Sequence, residues 1–320
     1  MKKTLSILLS AMMLLSIYGC AKSDQSNTSS ASQTSVSSVM SSEISTENDG
    51  LFDPSAYVNE EVFDFERIEL GSELEKACKT YQFTFMSDGY RINGYISIPI
   101  ASIESQKPTK CLVYCRGGNS RYGTLDDRAT ALRCYYSGRV VVGCELRGCN
   151  GTEGVEQFGG DDLNDVVKLI DLCDKRFDFI DMDDLCVEGE SRGGMMTYMT
   201  ARRDARVKKI IVCSGISNLF LSYQERDDMK EGLRGFIGGS PEEVPEEYER
   251  RSAVYWADEI NIPVLIIHSK MDKQVSFSHA QQMYEKLKDH NNCTLITHDD
   301  DFHGVHDEDI TSMFKWLEEN

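Results

Sequence analysis

Positive charge is the scarce commodity in this chain of 320 residues. It has 34 Lys and Arg against 53 Asp and Glu, a formal net charge of −19. Such a surface disfavours nucleic acid and anionic lipid as partners. Apolar runs are short: none reaches the roughly 20 residues that a membrane-spanning helix needs. Internal repeats are missing. The 11 cysteines lack zinc-finger spacing, since neither Cys111 with Cys115 nor Cys144 with Cys149 is followed by a second Cys or His pair at a matching interval. No metal site and no cofactor are expected. Cys111, Cys115, Cys144, Cys186 and Cys213 lie in apolar, strand-like runs, where a thiol packs as a small hydrophobe. We therefore expect mostly buried thiols.

The N-terminus reads MKKTLSILLSAMMLLSIYGC. Two lysines precede an apolar run of about a dozen residues, the pattern of a secretory signal. Ile17-Tyr18-Gly19-Cys20 resembles a bacterial lipobox. That resemblance implies cleavage after Gly19 and a lipid on Cys20. Residues 20–50 are serine-rich and hold no aromatic residue, so they cannot bury enough apolar surface to fold. Such a coil reaches about 30 Å, enough to hold a domain clear of a membrane. A signal peptide (1–19), a flexible tether (20–50) and one globular domain (51–320) follow. The expected location is the outer face of a bacterial cytoplasmic membrane, with contact only through the lipid.

Within the globular part, short apolar runs alternate with amphipathic stretches. Tyr81 to Ile100 alternates apolar and polar residues around Ser87-Asp88-Gly89, a hairpin signal. KCLVYC (110–115), RVVVGCEL (139–146), Leu185 to Val187, KKIIVCSG (208–215), IPVLIIHS (262–269) and CTLIT (293–297) read as buried strands. Helical spacing appears at 129–136, 161–173, after Ser191, at 279–289 and near 308–317. This is an α/β pattern: a mostly parallel sheet of eight strands with helices on both faces. Asn218 to Asp258 breaks the rhythm and reads as an inserted helical cap.

Gly189-Glu190-Ser191-Arg192-Gly193-Gly194 falls between a predicted strand and a predicted helix. In that context G-x-S-x-G is a nucleophile elbow. The glycines remove side chains from a tight turn, the serine points out, and the backbone N–H of Arg192 faces a developing oxyanion. Outside that context the serine would be a helix cap. A nucleophilic serine needs a base, and the base needs an orienting carboxylate. Asp272 lies in the loop after strand 262–269, and His303 in the loop after strand 293–297. Both fall at the carboxyl edge of the sheet, as Ser191 does. His298, close to its strand, and His306, at the start of the terminal helix, compete less well than His303, and Asp299, Asp300 and Asp301 read most simply as a solvated acidic turn rather than as rivals of Asp272. The loop Arg116-Gly117-Gly118-Asn119 can bring backbone N–H groups to the same edge. Glu153, Glu156 and Glu190 could attract a cationic end of a substrate, or simply carry surface charge.

SDGYRINGYISIP, the RGG loop, Glu145-Leu146-Arg147-Gly148, GESRGG, IPVLIIHSKMDKQV and FHGV together resemble the catalytic domain of the prolyl oligopeptidase family of serine hydrolases, from Tyr81 to the C-terminus. The resemblance implies an α/β-hydrolase fold, Ser191 as nucleophile, Asp272 as orienting acid and His303 as base. Three features depart from the family pattern. The segment before Tyr81 is too short for a β-propeller. The Asp272 loop begins His268-Ser269 where His-Gly is usual. Arg116 stands where many family peptidases place an oxyanion-hole tyrosine, so backbone N–H groups near Arg116 and Gly117, or the guanidinium, would serve instead. The expected activity is hydrolysis of an amide or ester, with short peptides as substrate. A carboxylesterase acting on acylated carbohydrate is the alternative, and a non-catalytic binding lipoprotein on the same scaffold is the second.

Overall fold

The computed structural model describes residues 52–125, 127–289 and 293–320. Cys20 and the serine-rich segment 20–50 lie outside the described residues, as does the signal segment before them. A nine-stranded sheet has the order β1-β2-β3-β5-β4-β6-β7-β8-β9. Its strands are β1 (Val62–Ile68), β2 (Cys78–Ser87), β3 (Tyr90–Pro99), β4 (Thr109–Cys115), β5 (Val140–Cys144), β6 (Ile180–Glu190), β7 (Val207–Cys213), β8 (Val264–Ser269) and β9 (Cys293–His298). Neighbours from β5 through β4 to β9 run parallel, and β1, β2 and β3 are antiparallel additions.

The hairpin falls where its turn signal does. Asp88 (φ 49°) and Gly89 (φ 86°) both take positive φ, and Ser87 pairs with Tyr90 across them. Two positive-φ residues make the tight turn whose twist matches the strands.

Nine strands stand where eight were expected, and the extra one is β1. Its register against β2 shifts between Phe63 and Glu66, and Asp64 takes φ 55° there. The bulge puts Val62 and Phe65 both in the core. Their odd spacing defeats a period-two search, because a bulge resets which face a strand residue points to.

Eight helices matter for the site: α1 (Asp127–Ser137), α2 (Leu163–Lys175), α3 (Arg192–Arg203), α4 (Leu219–Glu225), α5 (Lys230–Ile237), α6 (Pro245–Arg250), α7 (Ser278–Leu287) and α8 (Asp307–Glu319). The parallel strands split their side chains between two cores. Val113, Val187, Val212 and Ile266 pack with α2, α3 and α7. Leu112, Cys186, Ile211 and Leu265 pack with α1 and α8. Alternation across a strand sends neighbours to opposite faces, and both faces are covered, so the strands read as unbroken apolar runs. The segment 219–259 is built from α4, α5, α6 and short 3-10 turns.

Thiols behave as their surroundings suggest. All ten described cysteines are free, nine of them buried. Burial pushes the Cys115 thiol up to about 12, which suits packing and not nucleophilic chemistry. Among the described residues no helix is long and apolar enough to cross a membrane.

Candidate active site

The strand order itself marks where a site belongs. From β4 the chain moves outward to β5, then returns past β4 to β6 and proceeds the other way. The loops after β4 and β6 therefore diverge to opposite sides and leave a crevice at their carboxyl ends. Cys115 of β4 pairs with Gly189 of β6, so the loop starting at Arg116 and the turn at Ser191 leave the sheet side by side.

Ser191 links β6 to α3 with φ 56° and ψ −119°. A non-glycine residue in such a conformation costs about 1–3 kcal/mol and persists only where its surroundings enforce it. Here they do. The Ser191 N–H donates to the Cys213 carbonyl at 3.0 Å, and its own carbonyl accepts from Gly194 and Ile216, each at 3.0 Å. Although Ser191 stands at the N-cap position, its side chain makes no capping hydrogen bond. The hydroxyl is thus not engaged as a helix cap.

The flanking glycines are dictated by close contacts. A Cβ on Gly189 would lie 2.2 Å from the Gly193 carbonyl oxygen, and one on Gly193 would lie 2.0 Å from that of Cys115. Gly194 approaches Gly215 of the next connection, where a Cβ would stand 2.6 Å from its Cα. Across the crevice, a Cβ on Gly117 would be only 3.4 Å from the Cβ of Ser191. The backbone of Gly117 is therefore beside the hydroxyl, and the N–H of Arg192, at the first position of α3, has no carbonyl one turn earlier to engage it.

The two arginines of these loops keep their guanidinium groups for scaffolding. Arg116 is buried and pairs through Nε with Glu145 Oε2 at 2.6 Å. Its Nη1 donates to the carbonyls of Gly117, Tyr122 and Gly123 at 2.9–3.0 Å. A guanidinium tied into its own loop is not presented to a substrate, so backbone N–H groups are what this loop offers. Arg192 turns back to pair with Glu156 and, at 2.6 Å, with Asp162. It also donates to the Gly118 carbonyl at 3.2 Å, joining the helix start to the Gly117 loop. These ion pairs occupy Glu156, and Glu153 accepts from the Arg91 N–H at 2.9 Å. Of the three glutamates considered for a cationic substrate end, Glu190 alone is left facing the elbow.

Asp272 and His303 meet between the loops after β8 and β9. Asp272 Oδ2 accepts from His303 Nδ1 at 2.7 Å, and both residues are buried. The other Asp272 oxygen accepts from the N–H groups of Gln274 (2.8 Å) and Val275 (3.1 Å). Burial raises the Asp272 carboxyl, but the hydrogen bond and charge of His303 and those two N–H groups overcome it, leaving it below its ordinary value. A carboxylate held ionised fixes the imidazole proton on Nδ1 and leaves Nε2 free to accept. Gly304 then packs against the elbow: a Cβ on it would lie 3.3 Å from Glu190 Oε1.

His298 and His306 belong elsewhere. His298 Nε2 pairs with Asp309 at 2.6 Å, and His306 Nε2 with Asp300 at 3.2 Å. Their rings meet at a tilt of 46° with centroids 4.2 Å apart, and Ser269, the residue that replaces the usual glycine, lies 3.3 Å from His306 Nε2. This cluster fastens the Asp272 loop to the His303 loop. Asp299 and Asp301 pair with Lys270 and Lys273. His268 is buried, bonds the Val275 carbonyl at 2.8 Å and is held below its ordinary pKa by that burial.

Supporting residues escaped sequence reading. Ser214 takes φ 45° after β7, and its Oγ accepts from the Gly304 N–H at 3.0 Å, anchoring the His303 loop. Glu145, 29 residues along the chain from Arg116, is its buried counter-ion. Glu145 stood within a motif read from the sequence, but nothing local marked it as the partner of Arg116.

Comparison with known proteins places these features in a lineage. The model of the prolyl oligopeptidase family matches residues 135–320. The Bacillus subtilis (strain 168) uncharacterized peptidase YtmA is 31% identical over 66% of this chain and 80% of its own length. A second B. subtilis protein, the uncharacterized peptidase YuxL, is 29% identical over 63% of this chain but only 31% of its own. Among solved structures, Pyrococcus horikoshii acylaminoacyl peptidase superposes with a TM-score of 0.62 at 22% identity, covering 75% of this chain and 40% of that one. Acetyl xylan esterase 1 from Thermoanaerobacterium sp. superposes with a TM-score of 0.61 at 17% identity, covering 82% and 91%. These two structures show the shared α/β-hydrolase fold.

Proposed function

Because the chain belongs to the prolyl oligopeptidase family of serine hydrolases, we propose that it is a serine peptidase that cleaves short peptides through an acyl-enzyme on Ser191. In this reading Ser191 Oγ attacks the scissile carbonyl while His303 Nε2 takes its proton. Asp272 holds the imidazole in the required tautomer and offsets the positive charge it acquires. The N–H groups of Arg192 and Gly117, with that of Arg116 at the root of the loop, are the donors for the oxyanion. His303 then protonates the leaving amine, and water, deprotonated by His303, releases the acyl group from Ser191.

The observation that carries the reading is the strained, uncapped Ser191 at the switch point, with the Gly117 backbone beside it and the Asp272–His303 pair packed behind residue 190. A fluorophosphonate probe tests it: the wild type becomes labelled and Ser191→Ala does not. We expect Ser191→Ala to lower kcat/KM by at least about 1,000-fold. A folded wild type that resists the probe would sink the catalytic assignment. Substrate class is read by comparing aminoacyl p-nitroanilides with p-nitrophenyl acetate, each against Ser191→Ala. Carboxylesterase is the second reading, supported by the span of the fold shared with the acetyl xylan esterase; it wins if only the acetate is turned over.

We propose further that a lipid on Cys20 tethers the domain to the outer face of the cell membrane. The support is the lipobox-like Ile17-Tyr18-Gly19-Cys20 and the serine-rich stretch after it. Cys20→Ser should move the protein from the membrane fraction to the medium or the signal-uncleaved pool, and unchanged membrane retention with normal processing would count against the anchor.

A further inference from the structure

Glu190 precedes Ser191 and is half-buried. No described donor hydrogen-bonds its carboxylate; the groups that face it act through charge. They are His303 from the loop after β9, Arg133 from α1, Glu188 from β6 itself and Asp272 from the loop after β8. His268, at the end of β8, in turn feels His303 and Asp272. Arg133 is already matched, with Nε 2.9 Å from Glu188 Oε1 and its guanidinium 3.4 Å from the centre of the Tyr114 ring. Arg133 and Glu188 form a matched pair, so the negative charges left to act on His303 are those of Asp272 and Glu190.

The Glu190 carboxylate packs beside the His303 loop. Glu190 Oε1 would stand 3.3 Å from a Cβ on Gly304, the residue after His303. Burial holds the Glu190 carboxyl above its ordinary value; the charges of His303 and Arg133 oppose that rise, and those of Glu188 and Asp272 add to it. A half-buried carboxylate with no hydrogen-bond donor among the described residues loses part of its hydration without compensation. It is tolerable where a positive charge appears beside it during the reaction.

We propose that Glu190 is a positioning residue of the hydrolysis, a second carboxylate besides Asp272 that stabilises the imidazolium formed when His303 takes the Ser191 proton. The inference rests on the reading of Ser191 as nucleophile and His303 as base. In that step the Ser191 O–H bond breaks, an N–H bond forms at His303 Nε2, and the positive charge gained by the ring faces two carboxylates instead of one. Charges partly withdrawn from water interact more strongly than exposed ones, although the desolvation of Glu190 offsets part of the gain.

The test is Glu190→Gln in the full chain, with kcat/KM for p-nitrophenyl acetate measured across pH and active sites counted by fluorophosphonate. We expect the plateau to fall by about three- to tenfold and the acidic limb to move to lower pH by about half a unit to one unit. The sign follows because removing a negative charge disfavours the protonated ring. Glu190→Asp should keep the limb near that of the wild type. Glu190→Ala should shift it as Gln does, which provides a reading if the Gln variant does not fold. A plateau and limb unchanged in Glu190→Gln, or a limb displaced to higher pH, would overturn the proposal while leaving the base assignment standing. If His303→Ala is labelled as fast as the wild type, the base assignment falls, and this inference with it.

Discussion

At its N-terminal end β6 presents Asp184 to three cations, and at its C-terminal end it presents Glu190 to a histidine. Asp184 lies 2.8 Å from Arg139, 2.9 Å from Lys110 and 2.5 Å from Lys209. Arg139 is shared with Glu318 of α8 at 2.7 Å. Every charge there has a partner, and the pairs tie β4, β6, β7 and α8 together. At the other end the backbone is strained at Ser191 and the Glu190 carboxylate lacks a hydrogen-bond donor among the described residues. One strand thus carries a stabilising end and a reactive end. Parallel sheets permit this division because loops at the carboxyl edge are free to converge, whereas the amino edge only has to hold together.

Three measurements sharpen or break that contrast, and the largest effect belongs to the reactive end. Gly193→Ala would set a Cβ 2.0 Å from the Cys115 carbonyl and 2.8 Å from that of Arg116. Two successive carbonyls of the adjacent backbone cannot move away cheaply, so we expect a loss of about 3 kcal/mol in urea unfolding, together with loss of fluorophosphonate labelling. A labelled, fully stable Gly193→Ala protein would show that the elbow is looser than these contacts require.

A smaller effect is expected at the stabilising end. Asp184→Asn should cost about 1–2 kcal/mol at pH 7, because it leaves the buried Lys209 and Arg139 short of a counter-charge. Activity per folded molecule should remain that of the wild type. A comparable loss of kcat/KM would mean that the two ends of β6 are coupled, against the division drawn above.

The smallest effect is the acid dependence of the same group. Burial opposes ionisation of Asp184, but its three cationic partners prevail and lower its pKa to about 2. A carboxyl depressed in the fold contributes stability that is complete above its unfolded value, about 3.9. That contribution is lost as pH falls towards 2. Discounted for partial solvent screening, it amounts to about 1 kcal/mol. The gap between wild type and Asp184→Asn in urea midpoints should therefore narrow between about pH 4 and 2. A gap constant over that range would remove the ionic explanation.

Much of this architecture was legible in the chain because its signals are local. Val140–Cys144 and Val264–Ser269 are apolar runs too short for helices, and Asp88-Gly89 specifies a tight hairpin turn by itself. Where the local signal was disturbed, reading failed: the bulge at Asp64 hid β1 by shifting the phase of its buried residues. The elbow was visible as glycines around a serine between a strand and a helix. The role of the arginines was not, since Arg116 meets Glu145 and Arg192 meets Asp162 only after the crevice loops have folded back. A substrate-facing guanidinium and a scaffolding one have the same letter.

The sequence by itself determined the succession of β2 to β9 with the helices between them, the G-x-S-x-G turn and the succession Ser191, Asp272, His303, because periodicity and turn chemistry act over a few residues. Tertiary structure supplied the partners of the rival histidines: His298 pairs with Asp309 and His306 with Asp300, while His303 meets Asp272. It also decided that Glu190 lies against Gly304 while Glu153 and Glu156 are taken up by other partners. Charge partners are chosen by distances across the sheet edge, and those distances exist only once β4, β6, β8 and β9 stand side by side.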